Sequence, residues 1–99
     1  MRIKTIDVNC KEWFDKVNGN SYFSGFVTIN YGMKNATTIR LPFQNGYGDN
    51  YKDMAFKELI KQGYINGVSD RTSYWQYFRD HNIIARYFLQ ENCKKRELL

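Results

Sequence analysis

The sequence contains little of what catalytic, metal and disulfide sites are built from. Histidine occurs once, at His81, and the two cysteines, Cys10 and Cys93, lie far apart with no CxxC spacing. A Ser-His-Asp or Cys-His site would have to use this one histidine, and a zinc site needs several closely placed ligands. Disulfide scaffolds use more cysteine in less chain. We therefore expect no catalytic residue, no metal and no cofactor. The two thiols are expected to be reduced, and whether they ever pair is left open.

Long apolar runs are also missing, which excludes a transmembrane helix. The first residues, Met-Arg-Ile-Lys-Thr-Ile-Asp, lack the apolar segment of a signal peptide. We expect a protein of the cytoplasm that does not contact a membrane.

The rest of the composition is that of a folded chain. Of 99 residues, 42% are hydrophobic, 25% are charged and 17% are aromatic. This length accommodates one hydrophobic core, so a single domain over residues 1–99 is expected.

Basic residues outnumber acidic ones by 15 to 10, giving a net charge of +5. Such a balance favours anionic partners, including nucleic acid. The excess is spread along the chain, and the only basic cluster is Lys94-Lys95-Arg96. This cluster is either a phosphate-contacting tail with salt-dependent affinity or a solubilising terminus.

Alternation of apolar and polar residues predicts β-strands in the first half of the chain and near its end. Pro42 favours an edge or a strand terminus, whereas the two partly apolar faces of 83–90 favour a central position. Asn18-Gly19 predicts a type I′ hairpin turn, since both central residues of that turn need positive φ. A helical turn near Trp13 is the competing interpretation for 11–17. The predicted strands are 2–10, 11–17, 21–31, 37–43 (with Thr37, Ile39, Leu41 and Phe43 on one face) and 83–90.

Apolar residues at helical spacing predict two helices, over 50–62 and 72–81. Asp49 is placed to cap the first and Gly63 to end it, and Asp70 or Thr72 could cap the second. The expected fold class is α+β: an antiparallel β-sheet of about four to five strands with two α-helices packed on one face.

The loop before the first helix, 44–49, contains Gly46-Tyr47-Gly48. Backbone N–H groups at a helix start can hold phosphate, but the GxxxxGK[ST] order is absent. Asp49, Asp53 and Glu58 could together form a metal-dependent nuclease centre. Such acidic residues are common on amphipathic helices, so this remains the weakest alternative.

Aromatic residues are too numerous for all of them to be buried in so small a core. Exposed aromatics beside Arg or Lys stack on bases, and they also anchor protein interfaces. The residues in question are Trp13, Tyr22, Phe26, Tyr47, Tyr74 and Tyr77.

Three stretches resemble a family of small, mostly uncharacterised bacteriophage proteins. They are the motif Trp13-Phe14-Asp15-Lys16-Val17-Asn18-Gly19-Asn20-Ser21-Tyr22, the segment Gly46-Tyr47-Gly48-Asp49, and Cys93-Lys94-Lys95-Arg96-Glu97-Leu98. The resemblance implies a phage accessory protein expressed in the host bacterial cytoplasm, and it supplies no catalytic motif.

The sequence thus favours a non-enzymatic protein that acts by stoichiometric binding and inhibits a host defence system. Its target would be a defence protein, a protein–nucleic acid complex as for an anti-CRISPR inhibitor, or a nucleotide signal. A basic nucleic-acid-binding module of phage origin is the alternative. A homo-oligomer is possible through exposed sheet edges. The predicted binding residues are Trp13, Asp15, Lys16, Asn18, Asn20, Tyr47, Asp49, Arg86, Lys94, Lys95 and Arg96.

Overall fold

A computed structural model describes residues 2–69 and 71–99. Within these ranges the elements are β1 (Thr5–Asp15), β2 (Asn20–Ile29), β3 (Thr37–Asn45), α1 (Asn50–Lys61), α2 (Tyr74–Asp80), β4 (Ile84–Gln90) and α3 (Lys95–Leu98). The predicted α+β class and the number of strands are confirmed.

The strands form one sheet in the order β3-β2-β1-β4. β2 pairs antiparallel with β1 and with β3, whereas β4 pairs parallel with β1. The sheet is therefore mixed rather than wholly antiparallel. The reason is the connection before β4: β3 runs in the direction of β1, and α1 and α2 return the chain to the starting end of the sheet. β4 consequently lies at an edge, as β3 does, and not in the predicted central position.

β1 is one long strand where two were predicted, and no helical turn forms near Trp13. The hairpin turn also differs from the predicted type I′ turn. Four residues, 16–19, connect the paired Asp15 and Asn20, and of Asn18 and Gly19 only Gly19 has positive φ, at 71°. The Asp15 carboxylate stabilises this wider turn by accepting from the Val17 amide at 3.0 Å and from Asn18 Nδ2 at 2.8 Å.

One face of the sheet packs against α1 and α2 and forms the core. The alternation predicted for β1 and β2 is confirmed, because Ile6, Val8, Phe23 and Val27 are fully buried there. The face predicted for β3 holds for Ile39 and Leu41 but not for Phe43, which stacks on Tyr22 on the opposite face. A register shift opposite Phe23–Gly25 places one extra residue in β3 near Pro42, and this irregularity reverses the alternation.

The two predicted helices are confirmed with small changes at their ends. Asp49 occupies the N-cap position of α1 but makes no side-chain capping bond, and Gly63 lies one residue beyond the C-cap. At α2 the N-cap position belongs to Ser73 rather than Thr72, and the alternative cap, Asp70, lies outside the described residues. Across the described ranges, no helix is long and apolar enough to span a membrane.

The C-terminal cluster is not a free tail. Residues 95–98 form the short helix α3, which packs on the face of the sheet opposite α1 and α2. Leu98 is buried, and its carbonyl accepts from Ser24 Oγ at 2.6 Å. One turn of helix is too short to show the periodicity from which helices are predicted.

Gly25 of β2 is paired with Cys10 of β1. A Cβ added at this position would meet the Asn9 carbonyl oxygen and would lie 2.8 Å from the Cys10 Cα, both of them backbone atoms. We expect Gly25→Ala to lower the free energy of unfolding by roughly 1–3 kcal/mol, measured by urea denaturation. Gly46→Ala is the comparison, because its Cβ would meet only side chains, the flexible end of Met54 and, at 3.1 Å, the Phe23 ring. If both variants lost the same free energy of unfolding, the close approach of Gly25 to the β1 backbone would be contradicted.

Candidate functional site

The face of the sheet opposite α1 and α2, called the outer face here, carries a row of four side chains at one level. Asn9 on β1 is paired with Phe26 on β2 and with Phe88 on β4. Phe26 is paired in turn with Arg40 on β3. Paired residues of adjacent strands point to the same side of a sheet, so the row runs Arg40, Phe26, Asn9, Phe88.

The two aromatic rings in this row are exposed. Phe26 is 48% accessible and Phe88 58% accessible, although each lies within a strand. β1 separates them, so their backbones lie about 10 Å apart. Large apolar side chains exposed in the middle of a sheet face have no role in the core and can stack on a ligand.

A cavity of about 370 Å³ lies beside the row, between the sheet and α3. Lys11, Gln90 and Glu97 line it together with both rings. Arg40 borders the cavity on the β3 side, where its guanidinium lies 5.4 Å from the Phe26 ring centre and donates to the Leu98 carbonyl at 2.8 Å. The cavity therefore combines stacking surface with two cationic side chains and one carboxylate.

The next level of the outer face holds the predicted site residue Arg86. Its Nε lies 2.7 Å from Asp7 Oδ1, and its Nη2 donates to Asp7 Oδ2 at 2.9 Å. The hydrogen bond and the charge of Asp7 raise the pKa of Arg86. Arg86 is thus held in an ion pair within its own sheet, with its charged side chain still half exposed, and it lies apart from the other predicted site residues.

Three rings at the far end of the outer face form a stack. Tyr22 lies 5.4 Å from Trp13 and 5.1 Å from Phe43, measured between ring centres. Lys95 Nζ lies 5.5 Å from the Trp13 ring centre, a cation–π distance. Beside this stack is a second cavity, of about 460 Å³, and its lining brings together the predicted residues Trp13, Asp15, Lys16, Lys94 and Lys95.

Asn18 and Asn20 are held by neighbours in and near the hairpin. The hydrogen bond from the Asn18 side chain is the main cause that lowers the pKa of Asp15. The Tyr47 hydroxyl donates to Asn20 Oδ1 at 2.7 Å, which ties the loop before α1 to the hairpin. Asn18 thus contacts Asp15 of the second cavity, whereas Asp49 lies at the start of α1 and Arg96 is exposed on α3.

The residues of the nuclease alternative are not brought together. Asp53 pairs with Lys57 at 3.1 Å, and Glu58 accepts from Gln62 at 2.7 Å. In the described part of the chain, no group of three or more His, Cys, Asp or Glu side chains could hold a metal ion. His81 stacks on Tyr77 with ring centres 3.9 Å apart, and its Nδ1 lies 2.9 Å from the Tyr77 carbonyl oxygen.

Both cysteines are free and buried, and burial raises the pKa of Cys10 to about 12. Since the thiolate is the reactive form, we expect native Cys10 to resist iodoacetamide near pH 8 and to react on unfolding. The measurement is mass spectrometry of a Cys93→Ser variant, in which Cys10 is the only thiol. Labelling in the native state at the rate of a free thiol would contradict the burial.

Sequence reasoning missed the central row of the outer face. Alternation within β2 places Phe26 and Phe23 on different faces, and alternation within β4 places Phe88 on the same face as Arg86. The face of each exposed ring could therefore be predicted within its own strand. The sequence did not predict that β1 lies between β2 and β4, which brings Phe26, Asn9 and Phe88 into one line.

The fold and this face define an α+β protein with an open, aromatic and partly basic sheet surface. No family model matches the chain, and no curated protein and no solved structure shows a significant match to it. The resemblance to small bacteriophage proteins therefore stays a prediction.

Proposed function

We propose that this protein binds single-stranded nucleic acid across the outer face of its sheet and acts by binding rather than by catalysis. The observation that carries the proposal is the pair of exposed rings, Phe26 and Phe88, on either side of Asn9. Bases that are not paired expose their π-faces, and stacking on a protein aromatic contributes roughly 1–3 kcal/mol per base.

The charges around the rings support an anionic ligand. Arg40 and Lys11 lie at the cavity beside the rings, and the chain as a whole carries a net charge of +5. The phosphates of a strand whose bases stack on the rings would run past these cations. Asn9 lies between the rings, where its amide could donate to and accept from a base edge.

The experiment is fluorescence anisotropy with labelled oligothymidylate, oligouridylate and a duplex of equal length. We expect both single strands to bind more tightly than the duplex. The logarithm of the association constant should fall linearly with the logarithm of salt concentration, with a slope of roughly −0.7 per phosphate contacted. Absent binding, or binding that does not change between about 50 and 200 mM salt, would overturn the proposal.

The second candidate is the inhibition of a host defence component in the bacterial cytoplasm through a protein–protein contact. A separate set of exposed residues at the hairpin end favours it: Phe14, Val17 and Tyr47, with Val17 91% accessible. Tyrosine is a typical anchor of a protein interface, and exposed apolar side chains that lie together mark interaction surfaces. The bound component would be a defence protein, alone or in complex with nucleic acid.

Phage plating separates the two candidates. Host strains that carry different defence systems would express the protein, a Phe14→Ser/Val17→Ser variant, or a Phe26→Ala/Phe88→Ala variant. Loss of protection of the phage with the hairpin variant alone supports the protein contact. Loss with the outer-face variant alone supports nucleic acid as the ligand, and unchanged restriction in every strain contradicts the defence hypothesis.

A further inference from the structure

The outer edge of β4 carries backbone groups for which the described residues provide no hydrogen-bond partner. The Ile84 amide donates to the Lys4 carbonyl at 3.0 Å, so the backbone groups of Ile84 face β1. In a parallel ladder, the N–H and C=O groups of every second residue bond to the adjacent strand, and those of the residues between point the other way. The N–H and C=O groups of Ala85, Tyr87 and Leu89 therefore point away from β1, and β4 is the last strand in the sheet order.

This edge lacks two of the features that block edge pairing in other proteins, a proline and a bulge. β4 contains no proline, and its register with β1 is regular over its whole length. Its one charged residue, Arg86, is already paired with Asp7. The outer-face residue Ile84 is 62% accessible. The opposite edge, β3, differs in containing Pro42 and a register irregularity.

We propose that two copies of this chain pair antiparallel through β4, with the two-fold axis at Tyr87. Tyr87 then forms a hydrogen-bonded pair with Tyr87 of the partner subunit, and Ala85 pairs with the partner subunit's Leu89. Both pairings use the outward-pointing N–H and C=O groups. Two four-stranded sheets thereby join into one continuous sheet of eight strands.

Side-chain chemistry selects this register over the nearest alternative. With the axis at Arg86, the two guanidinium groups would lie directly opposite each other, and like charges at that position destabilise a sheet. With the axis at Tyr87, Arg86 instead lies opposite Phe88 of the partner subunit, a cation–π neighbour. Because Pro42 and the irregularity disfavour pairing at β3, the assembly stops at two copies.

Sedimentation velocity without nucleic acid tests the dimer. The wild-type chain is expected to sediment as a dimer that dissociates on dilution. Phe88→Lys, which places a cation beside Arg86 of the partner subunit, is expected to be monomeric. Phe26→Lys is the matched control, since this equally exposed ring lies on an interior strand, and it should remain dimeric. A monomeric wild type, or a dimeric Phe88→Lys, overturns the proposal.

Disulfide trapping tests the register. In the proposed pairing, residues 86 and 88 of the partner subunit are directly opposite and about 4.5 Å apart, within disulfide range. The double variant Arg86→Cys/Phe88→Cys should form a covalent dimer under mild oxidation. Arg86→Cys alone should not, because the two copies of residue 86 are then diagonal neighbours about 7–8 Å apart. Covalent dimers of the single variant, or none of the double variant, would overturn this register.

Discussion

Replacing Asn30 by alanine is expected to lower the free energy of unfolding by roughly 2–5 kcal/mol. Asn30 follows β2 and is fully buried. Its Oδ1 accepts from the Lys4 amide at 2.7 Å, and its Nδ2 donates to the Arg2 carbonyl at 2.9 Å. Alanine would remove both bonds, and the partly buried Lys4 amide and Arg2 carbonyl would lose their partner. Each buried group without a partner costs about 1–3 kcal/mol.

The backbone at Asn30 adds a second contribution. Its φ is 55°, in the left-handed region that asparagine and glycine tolerate and alanine does not. The same residue donates its amide to the Thr5 carbonyl at 2.9 Å. One side chain and one backbone unit thus attach the segment before β1 to the end of β2.

Two further substitutions separate these causes. Asn30→Gly keeps the left-handed conformation and removes the side-chain bonds, while Asn30→Asp keeps the acceptor for Lys4 and loses the donor for Arg2. Urea denaturation should show a larger loss for alanine than for glycine, and aspartate should also be destabilising because its carboxylate oxygen would face the Arg2 carbonyl oxygen. A loss below about 1 kcal/mol for both alanine and glycine would show that water replaces the amide and that the site is not closed.

Replacing Phe26 and Phe88 by alanine is expected to abolish most of the affinity for single-stranded nucleic acid. If each ring stacks on one base, each single substitution lowers the association constant by roughly 5- to 150-fold. The association constant of the double variant should fall by at least the product of the two lower limits, roughly 25-fold. Neither ring is part of the core, so the folded structure should be retained.

The matched control is Trp75→Ala. Trp75 is similarly exposed and lies 5.6 Å from the Arg79 guanidinium, but it belongs to α2, on the other side of the molecule. Anisotropy titrations at one fixed salt concentration should show unchanged affinity for this variant. Equal losses for Trp75→Ala and the double variant would place binding elsewhere than on the outer face.

Much of the fold could be predicted from the sequence, because the buried face of a strand or helix depends on the residue pattern within that element. The alternation of Ile6, Val8 and Cys10 identifies the buried face of β1, and helical spacing of Tyr51, Ala55 and Leu59 identifies that of α1. The pairing of β4 with β1 is different in kind, since it depends on where two helices return the chain. No pattern within 83–90 distinguishes an edge strand with exposed apolar residues from a central one.

The candidate site was less predictable for the same reason. Trp13, Lys16 and Lys95 were singled out for residue type, and the structure brings them to one cavity. The contact between Arg40 and Phe26 was not predicted, because it depends on the register between β2 and β3. The position of Leu98 could not be predicted, because its backbone carbonyl bonds to Ser24, which is distant in sequence.

The pairing of β4 with β1 also bears on the order of folding. β1, β2 and β3 are joined by short turns and can pair as soon as neighbouring segments meet. The first β1–β4 pair, Thr5 with Ile84, closes a loop of nearly the whole chain, and contacts so distant in sequence carry a large entropic cost before they stabilise anything. We therefore expect β4 to be the last strand to join, and its amides to exchange with solvent sooner than those of β2. Until β4 docks, the edge of β1 is open to pairing with strands of other chains, and we expect aggregation at this stage to involve β1.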